Sequence, residues 1–133
     1  MPKFSATITA DLDEGFINDF LDTVDDSVAY WAETAVLSRH PSKDNWAAVK
    51  AIQVKEHEAS EEGPPAKFVM DEAAVLLGIK RVVEANAQGE YLTNAGHRDS
   101  VLKAVMENDM ANMDVWDVDC VVQAVMFNEI VYG

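Results

Sequence analysis

One cysteine, Cys120, is all the chain has, so no intrachain disulfide can form; a lone thiol suits a reducing compartment. At 133 residues and 49% apolar content the chain does not need a covalent or metal staple. A single domain of that size buries about two-thirds of its unfolded surface. No apolar run approaches membrane-spanning length, and the opening Met-Pro-Lys-Phe-Ser-Ala-Thr has no apolar signal-like stretch. The expectation is a soluble cytoplasmic protein of one domain. There is no Gly-x-x-x-x-Gly-Lys loop and no dinucleotide fingerprint. The three histidines, His40, His57 and His97, lack the close helical spacing of many zinc sites. No catalytic constellation, metal site or cofactor is expected, and the chain reads as a non-enzyme.

Bases are scarce and unevenly placed. Ten Lys and Arg face twenty-four Asp and Glu, for a formal charge of −14. Residues 4–38 hold eight acids and no base, and residues 104–133 hold six acids and no base. The middle, residues 39–103, is nearly balanced, with ten acids against nine bases. Direct binding to a phosphate backbone is disfavoured, because counterion release needs Lys and Arg. A basic protein surface is the electrostatic complement. A solvated acidic face is the plainer explanation of charge alone.

Period and punctuation predict the elements. Lys3–Thr9 alternates apolar and polar residues, as a half-buried strand does. In Asp11–Leu37, Phe16, Ile17, Phe20, Leu21, Val24, Val28, Trp31 and Ala35 recur every three or four positions, which predicts one long helix opened by Asp11 and Glu14. Arg39 and His40 suit its negative end, and Pro41 stops it. Val49–Glu56 and Lys67–Met70 read as a β-hairpin with a long acidic loop. Asp71 caps a second helix with Val75, Leu76, Ile79, Val82 and Val83 inward. A third runs from Asn94 or Ala95 to Asn108, with Val101, Leu102, Val105 and Met106 inward. Asp114 and Asp117 open a fourth, buried along Val118, Val121, Val122 and Val125, and Asn128 suits a left-handed stop. The fold class is α+β: a small antiparallel sheet, made of the N-terminal strand and the central hairpin, packed against about four helices.

Individual residues carry little chemistry. Cys120 sits among valines with no base placed to ionise it, as a core filler would. Glu56-His57-Glu58 on a strand points His57 away from both acids. Asp22, Asp25 and Asp26 lie on a helix rather than on the loop that hard-cation sites favour. Trp31 continues the core stripe, whereas Tyr30 lies off it as a candidate exposed aromatic. Trp116, beside Val115 and Asp117, is the better candidate anchor.

Leu21–Trp31, ending in Tyr30-Trp31, and Asp114–Gly133, ending in Phe-Asn-Glu-Ile-Val-Tyr-Gly, resemble a group of small bacteriophage and mobile-element proteins of undetermined function. Its members typically have a helix closing in Asn-Tyr-Trp, a central hairpin and a C-terminus near Asp-x-x-x-Gln-x-x-x-Phe-Gly-Glu-Ile/Val-Val-Tyr-Gly. Asp119, Gln123, Phe127, Glu129, Ile130, Val131, Tyr132 and Gly133 stand in those places. Asp26-Ser27 replaces the group's Gly-Gly, and Asn128 replaces its Gly. The resemblance implies a phage or prophage origin and an α+β fold, and it implies no activity.

Three readings of function follow. The leading one is a phage-encoded inhibitor of a host defence protein, a CRISPR effector or nuclease, whose acidic helices mimic nucleic acid. Its partner-binding residues would be Asp19, Asp22, Asp25, Asp26, Tyr30, Asp114, Trp116 and Asp117. The second is a binder that sequesters a nucleotide signal, using Arg39, Lys80, Arg81 or Arg98. The third is a structural or assembly protein, a homodimer or larger, joined through the Ile130-Val131-Tyr132 edge.

Overall fold

The computed structural model describes residues 9–41, 47–57 and 63–133. Apart from Thr9, the N-terminal strand expected over Lys3–Thr9 lies outside the described residues. The elements run α1 (Glu14–Val28), β1 (Ala32–Arg39), β2 (Val49–Glu56), β3 (Lys67–Met70), α2 (Glu72–Val83), α3 (Ala95–Glu107), a 3-10 turn (Met110–Asn112) and α4 (Val115–Phe127). Among the described residues four helices and a three-stranded antiparallel sheet in the order β1-β2-β3 make an α+β fold.

The long first helix is corrected twice. Its cap is Asp13 rather than Asp11: the Asp13 carboxylate accepts the Phe16 N–H at 2.8 Å and the Asn108 side-chain amide at 3.0 Å. Those two donors, the backbone one first, hold the Asp13 carboxyl below its ordinary range. The helix then ends at Val28, nine residues before Leu37. Ala29-Tyr30-Trp31 turns the chain, and Ala32–Arg39 returns as a strand paired with β2 from Ala32↔Glu56 onward. Beyond Trp31, the alternation of Ala32, Thr34 and Val36 suits a sheet as well as Ala35 suits a helix. The β2 strand decides between them, because pairing across strands overrides weak local preference. Arg39 and His40 therefore sit at a strand end, where Arg39 Nη1 donates to the Ala47 carbonyl at 2.7 Å.

The hairpin falls where expected, with Val54 opposite Phe68 and Ile52 opposite Met70. Ile52, Val54 and Met70 face the core with Phe16, Phe20, Leu21 and Val24 of α1. Asp71 and Asn94 cap α2 and α3, and each accepts a backbone N–H three residues on. Two residues assigned to inner faces lie outside: Leu76 on α2 and Met106 on α3 are both exposed.

The last helix differs most from a solvated acidic cylinder. Asp117 through Val125 are all buried. α4 touches α1, α2, α3 and β3, so it is the central helix and apolar on nearly every side. Gly78 of α2 makes the closest approach: a Cβ there would lie 2.6–2.7 Å from Val121 and Val125. Arg81, one turn on, donates to the Ala124 and Val125 carbonyls at 3.1 Å and so closes the end of α4.

Candidate functional site

Two assemblies gather the residues singled out by sequence. The first is a buried carboxylate and its donors. Asp119, only 3% exposed, accepts from the Tyr30 hydroxyl, from Trp31 Nε1 at 2.8 Å and from Gln123 Nε2 at 3.0 Å. Gln123, fully buried, also donates to the Tyr132 carbonyl and accepts the Val131 and Tyr132 N–H groups at 2.8 Å. Tyr132 stacks on Trp31 with ring centroids 4.9 Å apart, and Phe127 tilts against both. The Tyr132 hydroxyl donates to Glu56, whose other oxygen accepts the Ala66 N–H. Tyr30, Trp31, Asp119, Gln123, Phe127 and Tyr132 thus close a latch between the end of α1, the middle of α4 and the C-terminal segment.

Burial, and then the bond to Asp119, push the Tyr30 phenol well above its ordinary value of 10.0. The bond to Glu56, and then burial, raise Tyr132. Every polar group in the latch is satisfied by another, which suits a structural joint rather than a reacting site. It also occupies the edge proposed for self-association: the Val131 and Tyr132 N–H groups are already bonded to Gln123.

The second assembly is the acidic face of α1. Asp19, Asp22, Asp25 and Asp26 are exposed, opposite the buried Phe16–Val28 stripe. At 100° per residue the four carboxylates fall within about 120° of helix surface. No ion pair among the described residues involves any of them, although Asp25 accepts from the Thr34 hydroxyl. At the end of that helix, Tyr30 (47% exposed) and Trp116 (55% exposed) meet with ring centroids 5.9 Å apart.

The acids of α4 do not extend this face. Asp117 is 3% exposed and Asp119 is buried in the latch. Asp114 and Asp117 form a reciprocal capping box, and His97 Nδ1 lies 2.7 Å from Asp117 Oδ1. His97, Asp114 and Asp117 bring one ligand-type atom each within 4.8 Å of one another. Those atoms already have partners in one another and in the N-terminus of α4. Asp114 Oδ1 accepts the Asp117 N–H, Asp117 Oδ2 accepts the Asp114 N–H, and His97 Nδ1 is bonded to Asp117 Oδ1. Helix dipoles already favour carboxylates at these positions and oppose an added cation. Asp117 is therefore a capping and core residue rather than a docking acid.

The arginines considered for a small anionic ligand are committed to other contacts. Arg39 and Arg81 are spent on backbone carbonyls, and Arg98 lies 3.7 Å over the Tyr91 ring. Lys80 and Arg81 line an open cleft of about 450 Å³, but Glu84, Glu90 and Glu129 line it too and outnumber them, a balance that disfavours an anion. Cys120 is buried, and burial raises its thiol above the usual value. The described residues contain no helix long and apolar enough to cross a membrane.

Compared with protein-family models, curated proteins and solved structures, the chain matches none.

Proposed function

We propose that this is a phage-encoded, non-enzymatic inhibitor that docks α1 onto a basic, nucleic-acid-binding surface of a host defence protein. The observation that carries the reading is the row Asp19, Asp22, Asp25 and Asp26, four exposed carboxylates on one helix face, none of them paired with a base among the described residues. Such a row occupies Lys and Arg that would otherwise hold phosphates. The Tyr30–Trp116 pair at the end of the row supplies the apolar anchor that slows dissociation. The proposed docking surface is α1 with Tyr30 and Trp116, without the capping acids Asp114 and Asp117.

The test is capture from host lysate with the tagged wild-type chain and with a variant carrying Asp19→Lys, Asp22→Lys and Asp26→Lys. The expected result is a nucleic-acid-binding protein retained by wild type at about 50 mM salt, lost at about 0.5 M salt, and not retained by the variant. Identical capture by both chains would remove the acidic face from the mechanism.

A further inference from the structure

Tyr30 and Trp116 come from the two segments that hold no Lys or Arg at all, residues 4–38 and residues 104–133. Asp26 stands one turn before Tyr30, and Ala29 between them keeps helical angles (φ −55°, ψ −27°). The carboxylate and the ring are therefore neighbours on one face of α1, at the end of the Asp19, Asp22, Asp26 row. The Tyr30 hydroxyl is committed to Asp119, which fixes the ring without covering it: Tyr30 stays 47% exposed, and Trp116, tilted against it, 55%. Two open rings, one of them held from behind, thus adjoin a run of carboxylates.

We propose that this pair seats an arginine side chain of the partner, so that the acidic face selects arginine-lined surfaces over lysine-lined ones. The proposal rests on the acidic-face reading of α1 and names the group that the partner brings to the end of the row. An apolar side chain uses the rings but gains nothing from the carboxylates. An ammonium uses the carboxylates but keeps its tightly held water. A guanidinium is planar and weakly hydrated, and it stacks on an aromatic face while its N–H groups reach carboxylates.

The chain makes such a contact within itself. The Arg98 guanidinium lies 3.7 Å over the ring of Tyr91, a residue 48% exposed, so the stack forms at an open ring of this protein. At Tyr30 the ordering is done in advance, because Asp119 already holds the ring, and the arginine meets a surface that has little freedom left to lose.

The test is isothermal titration calorimetry of the full chain at about 20 mM salt, with hexa-arginine and hexa-lysine peptides as probes. Wild type should bind hexa-arginine about tenfold more tightly than hexa-lysine. Trp116→Leu should weaken hexa-arginine about fivefold and leave hexa-lysine within about twofold of wild type. Trp116→Phe, which keeps a ring, should lose less, and circular dichroism should show each variant folded. Equal losses for both peptides on Trp116→Leu, or no loss for either, would overturn the arginine seat and leave the acidic face standing. A variant with Asp19→Asn, Asp22→Asn and Asp26→Asn should weaken both peptides, each by about tenfold or more. Unchanged binding of both by that variant would remove the acidic face instead, and a wild type that bound neither peptide would overturn both.

Discussion

Among the described residues Asp119 has no basic partner; three neutral donors hold it: the Tyr30 hydroxyl, the Trp31 indole and the Gln123 amide. Removing one donor leaves a buried acceptor underused, so Tyr30→Phe should cost about 1 kcal/mol at neutral pH. The pH dependence has a definite sign. In the folded chain Tyr30 keeps its proton above its ordinary 10.0, whereas the unfolded chain releases it near that value. Between those points the unfolded state binds fewer protons, so stability is intact below pH 10 and falls as pH rises beyond it. Urea midpoints measured from about pH 9 to about pH 11 should fall for wild type and fall less steeply for Tyr30→Phe. Tyr132, raised by Glu56, and the Cys120 thiol, raised by burial, contribute slope of the same sign. Equal slopes would show that the Tyr30 bond does not control this titration.

Among the elements, α4 is the one the others are assembled on, and its contact with α2 is the tightest. Gly78 lets the two backbones approach: an added Cβ would fall 2.7 Å from the Val121 carbonyl oxygen, which cannot swing aside as a side chain can. Gly78→Ala should therefore destabilise the chain by about 1–3 kcal/mol despite its better helix propensity. A calorimetric melting temperature equal to wild type would show that α2 shifts without cost. At the other end of α4, Gly133 has φ +94°, and its Cα passes close under the Tyr30 hydroxyl; a Cβ there would lie 3.1 Å from that oxygen. The helix-to-strand change at Trp31 belongs to this scale too. No glycine or proline marks it, and its anchors are His57, whose N–H donates to the Trp31 carbonyl at 3.0 Å, and the distant Asp119.

For the molecule as a whole, charge opposes compactness. Asp19–Asp22, Asp22–Asp25 and Asp22–Asp26 are like-charged neighbours at helical spacing, each destabilising by about 0.2–0.5 kcal/mol. Added salt screens them, so raising NaCl from about 10 mM to about 0.3 M should stabilise the protein by about 1 kcal/mol in urea titrations. The gain should shrink in a variant with Asp19→Asn, Asp22→Asn and Asp26→Asn. A stability that fell with salt would mean that attraction elsewhere outweighs this repulsion.

Much of the fold was legible in short-range chemistry. The caps Asp71 and Asp114 and the left-handed Asn128 stand where residue type placed them, because each acts on backbone groups within four residues. The hairpin was legible from alternation, and the segregation of charge from composition. The tertiary structure alone decided that Ala32–Arg39 is a strand, since its partners on β2 are supplied from another part of the chain. It alone turned Asp117 and Asp119 inward as well. Trp31 and Asp119 lie 88 positions apart, and no local pattern tells whether a carboxylate will meet water or a ring of donors brought to it by folding.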